Sequence, residues 1–143
     1  MEENFDRCIY CFAPRQGDAC PACGEPASAA WQLRPGSILK GRYMAGSPLS
    51  ETEECIHYRG WDLLRDAPVE IGEYFPRALV TREDTGAVAC LPGKEPELES
   101  GRQAFFERVK LFYDCASTNG KSTMDFFTRN GTCYYTRKPR KAP

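Results

Sequence analysis

From Trp31 onward the apolar and aromatic positions fall into short runs broken by turn formers. ILKGRYMAGSPL, CIHYRGWD and PVEIGEYF are rich in β-branched and aromatic residues, and this texture predicts three strands of an antiparallel meander. A polar loop at 82–85 then leads to AVACL, read as an added edge strand. Between Glu95 and Cys115 the period lengthens to nearly four. Phe105, Val109 and Phe112 form one stripe that Phe106 and Tyr113 widen, which predicts a single amphipathic helix. Ser100 and Gln103 fit a capping box, so the helix is expected to start near Gly101. MDFFTRNGTCYYTR reads as a hairpin, because Asn130-Gly131 accepts the positive φ values of a type I′ turn.

Residues 1–30 have a different texture, with four cysteines and few large aliphatics. The expected organisation is a small cysteine-rich unit at 1–30, a linker at 31–37, an α+β domain at 38–136 and a basic tail at 137–143.

Composition narrows the function classes. The 143 residues carry 19 Lys and Arg against 20 Asp and Glu, a formal charge of −1, so attraction to nucleic acid or an acidic membrane needs a local patch. No run approaches the about 18 apolar residues needed to span a bilayer, and the acidic start MEENFDRC lacks an export core. A cytoplasmic location without membrane contact is therefore expected. In that compartment the eight cysteines are metal ligands or thiols rather than disulfides. His57 is the single histidine, through which any imidazole chemistry must pass.

Cys8-x2-Cys11 and Cys20-x2-Cys23 are two knuckles. Two intervening residues let both thiolates of a tight turn reach one ion, and two such turns complete a tetrahedral S4 shell suited to zinc. Iron accepts the same ligands. With all four positions filled by protein sulfur, the expected metal is structural. Cys55, Cys90, Cys115 and Cys133 lack ligand spacing and read as buried or half-buried thiols.

The residues LRPGSILKGRY from Leu33 to Tyr43, GWDL from Gly60, and VEIGEYFPRALVTRED from Val69 to Asp84 resemble bacterial serine/threonine protein kinases that carry a zinc ribbon before the kinase domain. SGRQAFFERVKLF and DFFTRNGTCYYT look like that family's helix αC and strands β4–β5. The resemblance implies a zinc ribbon followed by a five-stranded antiparallel kinase small lobe with one αC-like helix. It also implies that the chemistry is gone. The family's three loop glycines match Ser50, Thr52 and Cys55, inside the acidic run SETEEC. Its phosphate-binding lysine matches Gly72, and that lysine's glutamate partner on the helix matches Arg108. The alanine that makes room for adenine matches Glu70, and the roof of the base site matches His57, so both polar groups are expected to face the base site and to hydrogen-bond to each other there. The catalytic-loop Asp and Asn and the metal-binding Asp of the large lobe have no counterparts.

The expected function is thus a non-catalytic, zinc-binding interaction or regulatory module without ATP binding or phosphotransfer. It would dock a protein partner or a second copy through the helix aromatics and a sheet edge near Tyr134 and Tyr135. The alternative is a nucleic-acid-binding zinc-ribbon protein that uses Arg137, Lys138, Arg140 and Lys141. A Cys–His enzyme would have to use His57, and SETEEC lacks the alternating ligands and central glycine of a calcium loop.

Overall fold

The computed structural model describes residues 7–9, 11, 12, 29–119 and 125–138, with the helix from 112 to 119 described by its backbone alone. The strands are β1 (Ser37–Leu39), β2 (Tyr43–Glu51), β3 (Cys55–Asp62), β4 (Ala67–Tyr74), β5 (Val80–Arg82) and β6 (Val88–Cys90). Helix α1 (Glu95–Asn119) follows, then β7 (Asp125–Arg129) and β8 (Thr132–Arg137). Six strands form one antiparallel sheet in the order β1-β2-β3-β4-β8-β7, and β5 pairs with β6 in a separate sheet.

Three expectations change. The sheet has six strands, not five, because the first run is broken by Lys40 (φ 58°) and Gly41 (φ 65°), whose left-handed turn folds β1 onto β2. AVACL contributes β6, but its partner is β5 rather than the main sheet. The helix starts at Glu95, not near Gly101. Pro96 is tolerated in a first turn, where amide donors have no helical partner, and Glu95 and Glu97 favour the positive end of the helix dipole. Ser100 therefore lies inside the helix and caps nothing. Gly101 answers a packing need instead, since a β-carbon there would overlap the Tyr74 hydroxyl. The hairpin is as expected, with Asn130 at φ 55° and Gly131 at φ 77°.

The sheet curls until its two edges meet. Lys40, beside β1, donates to Asp125 on β7 at 2.8 Å; Tyr43 donates to the same carboxylate at 2.8 Å and stacks on Phe127. Inside the curl lies the main core, with Leu39, Ile56, Tyr58, Ile71, Phe127 and Tyr134. Leu33, in the segment read as a linker, belongs to this core, and its amide donates to the Tyr58 hydroxyl.

One end of the curl is closed by a buried ion pair. Glu73 is fully buried and receives Tyr58 Oη at 2.7 Å, Tyr134 Oη at 2.6 Å and two N–H groups of Arg82 at 2.9 and 2.6 Å. A buried carboxylate is tolerable only with its lone pairs satisfied, and here they are. The pair also ties β5 to β4. Burial, followed by the neighbouring Glu73 charge, pushes the Tyr58 and Tyr134 hydroxyls well above the ordinary phenol value, so both stay donors.

The other sheet face carries α1. Phe105 sits among Tyr74, Tyr135 and Phe126, at ring separations of 5.2, 5.9 and 6.2 Å. Farther along this face the first knuckle docks, with Phe12 against Met44 and Trp61.

Candidate functional site

Strands β3, β4 and β8 bring three positions into one cross-strand row: His57 is paired with Gly72, and Gly72 with Tyr135. On one face of a sheet such neighbours point the same way. With only hydrogen at Gly72, the Tyr135 ring leans across the row and occupies the space a side chain would need. A β-carbon on Gly72 would lie within 2.7 Å of Tyr135 Cδ1 and closer still to the ring edge. From there the hydroxyl shares a 2.9 Å hydrogen bond with His57 Nε2.

The row floors a cleft of about 560 Å³ between the sheet, α1 and the β2–β3 turn. Of the residues singled out by sequence, Ser50, Thr52, Cys55, His57, Glu70 and Arg108 all line it. Gly72 lies beneath Tyr135. The fold thus gathers the expected positions in one place, but their partners differ from those expected. His57 and Glu70 both face the cleft, as expected, but the hydrogen bond expected between them is not formed. Instead His57 bonds to Tyr135 and approaches Ser50 Oγ at 3.4 Å, whereas Glu70 takes Arg137 at 3.0 and 3.1 Å. Arg137, counted in sequence with the basic tail, is therefore the last residue of β8 and an ion-pair partner within this cleft.

The acidic turn also divides. Glu51 points away from the cleft, accepting from Trp31, Gln32 and Arg77. Glu54 crosses to Arg108 on α1 at 3.1 Å and closes the rim. Both partners of that bridge are more than half exposed, so it orients more than it stabilises. Thr52 Oγ1 receives the amides of Glu54 and Cys55 and shapes the turn itself. Burial pushes the Cys55 thiol up to about 12, which keeps it protonated and removes it as a nucleophile. Cys55 and Cys133 are buried and Cys90 is half-buried, as expected of thiols without ligand spacing. Nothing in the sequence marked Tyr135 as the residue that fills the cleft floor, because its register against Gly72 joins positions far apart in the chain.

Half of the proposed metal set is described. Cys8 is buried and Cys11 half-buried, on a turn closed by the Phe12 amide donating to the Cys8 carbonyl at 2.8 Å, with Phe12 at φ 64°. Two thiolates on one tight turn suit a tetrahedral ion. Cys20 and Cys23 lie outside the described residues, and among the described ones no group of three or more potential ligands occurs. The described part of the knuckle packs on the sheet. Phe12 shares a core with Met44 and Trp61, and Arg7 lies over the Trp61 ring at 4.3 Å while donating to the Phe12 carbonyl.

The sheet edge expected to dock a partner is not there. Tyr134 and Tyr135 are buried on β8, which runs between β4 and β7. Phe105 is buried as well, while Phe106 is 40% exposed and Leu111 66% exposed. Phe112 and Tyr113 fall where side chains are not described. Among the described residues no helix is long and apolar enough to cross a membrane.

Comparison with solved structures places this architecture. The chain is similar to the apo form of PpkA-294, a bacterial Ser/Thr kinase fragment, at a TM-score of 0.67 and 21% identity. The match covers 76% of this chain and 39% of that one, so the chain spans well under half the length of its structural neighbour. No family model matches the sequence, and no curated protein does. The likeness is one of fold: a curled antiparallel sheet with one helix, as in part of a kinase domain.

Proposed function

We propose that this chain is a non-catalytic, zinc-binding interaction module derived from a kinase small lobe, one that neither binds ATP nor transfers phosphate. The observation that carries the reading is the Tyr135 ring over Gly72, tied to His57. A strand lysine has no room at that position. Arg108, matched to the helix glutamate, is engaged with Glu54 instead. Cys8, Cys11, Cys20 and Cys23 would hold one structural zinc, and the described turn at Cys8 and Cys11 suits that role. The docking surface is the outer face of α1 around Phe106 and Leu111, for a protein partner or a second copy. Tail-mediated nucleic-acid binding is less well supported, because Arg137 is already paired with Glu70.

A thermal-shift titration with Mg-ATP tests the central claim. No stabilisation is expected; a gain of about 2.7 kcal/mol at a hundredfold excess over Kd would mean a working nucleotide site.

A further inference from the structure

At the end of the curled sheet opposite the Glu73–Arg82 pair lies a cleft of about 700 Å³ that the function above does not use. The β1–β2 turn, the β3–β4 turn and the facing ends of β7 and β8 form its walls. Open mouths of curled sheets are favoured places for small ligands. Four cations, Lys40, Arg42, Arg65 and Lys138, line it against two carboxylates, Asp62 and Asp125.

Both carboxylates are spent on holding cations in position. Asp62, 2% exposed, takes Arg42 Nε at 2.9 Å and Nη2 at 2.8 Å, and it also accepts the amides of Leu64 and Arg65, which fixes the turn carrying Arg65. Arg42 further lies 4.9 Å over the Tyr43 ring. Lys40 is held by Asp125 and sits 5.5 Å over Phe127. Of the five N–H donors of a guanidinium, Asp62 takes two from Arg42, and Asp125 takes one of the three on Lys40. Arg65 is exposed and, among the described residues, has no ion-pair partner. Two pinned donors with capacity left over, Lys40 and Arg42, with the Arg65 guanidinium beside them, suit a compact dianion, and ordering costs are already met by the fold. Ala67, Pro68 and Val69 supply an apolar wall beside them.

We propose that this mouth binds a phosphate monoester carried by a small organic molecule. A phosphate ester has the required charge near −2 and three acceptor oxygens for the Nη donors of Arg42 that Asp62 leaves over and for the ammonium of Lys40. The apolar wall takes the organic body. A nucleic-acid strand fits less well, since the cations surround one bounded cleft interrupted by carboxylates rather than a continuous stripe.

Calorimetric titration of the full chain with phenyl phosphate, inorganic phosphate and a single-stranded 12-mer, at matched ionic strength, tests this. Saturable 1:1 binding of phenyl phosphate is expected, with inorganic phosphate weaker, and amide shifts in the NMR spectrum confined to 40–43, 65–69 and 136–138. Arg65→Gln and Lys40→Gln should each weaken phenyl phosphate by about tenfold or more, whereas Arg129→Gln on the far end of β7 should not. Circular dichroism checks that each variant is folded; both altered residues are exposed enough for this to be expected. Absence of saturable phenyl phosphate binding overturns the proposal, as does equal weakening by Arg129→Gln. So does tight 12-mer binding with no response to phenyl phosphate, which would mark a diffuse polyelectrolyte surface. Mg-ATP shifting residues of the Tyr135 cleft would instead count against the function proposed above, so the two failures are distinguishable.

Discussion

Tyr135 occupies the volume that a side chain on Gly72 would fill, and its hydroxyl joins His57 at 2.9 Å. Placing at this position the lysine of the kinase pattern is therefore expected to damage the fold. Gly72→Ala should destabilise by about 1–3 kcal/mol, the usual cost of overpacking. Gly72→Lys should cost more and produce no Mg-ATP stabilisation. Tyr135→Ala should recover part of the Gly72→Ala loss, and a double-mutant cycle by urea denaturation reads that coupling.

The Glu73–Arg82 pair makes a sharper demand on stability. Arg82→Met leaves a buried carboxylate with only its two tyrosine donors, and a loss of about 3–5 kcal/mol is expected. Tyr58→Phe removes the hydrogen bond to the Glu73 carboxylate and leaves the buried Leu33 amide without its acceptor, and should cost about 1.5–3 kcal/mol or more. Tryptophan fluorescence in urea would order the two variants.

Metal at the cysteine knuckle should stabilise the sheet as well, through Phe12. Elemental analysis should find one zinc per chain; a visible absorption band with iron would replace the metal and keep the ligands. Because Phe12 packs on Trp61 and Met44, Cys8→Ser or chelation should shift Trp61 emission and lower the melting temperature of the whole domain. Phe12→Ala, in a small satellite cluster, should cost about 3 kcal/mol. A domain indifferent to both changes would separate the knuckle from the sheet.

Acid should act through Asp62. The Arg42 hydrogen bonds hold its carboxyl below the ordinary 3.8, against the opposing effect of burial. A depressed folded-state value contributes stability above 3.8 that is lost as pH falls through the lower folded value. Asp62→Asn should cost about 3 kcal/mol at neutral pH, by unpairing Arg42. It should also flatten the acid limb of the stability profile below pH of about 4, measurable by urea midpoints at stepped pH.

Elements whose causes are local were legible in the chain alone. The Asn130-Gly131 hairpin, the strands around CIHYRGWD and VEIGEY, and a helix bearing Phe105 and Val109 follow from turn chemistry and periodicity, which act within a few residues. The sequence also named the positions that line the cleft, because the match to the kinase pattern carries three-dimensional neighbours with it. What those residues touch depends on packing between distant segments. Gly101 reads as a helix boundary until Tyr74 is packed against it, and Arg137 reads as a tail until β8 pairs with β4 and delivers it to Glu70. Tyr134 and Tyr135 read as an exposed edge until β7 folds outside them. Lys40 and Asp125 meet across 85 residues because the sheet curls, and that closure creates the cationic mouth. Register and curvature arise from packing between distant segments, so no local window of the chain contains them.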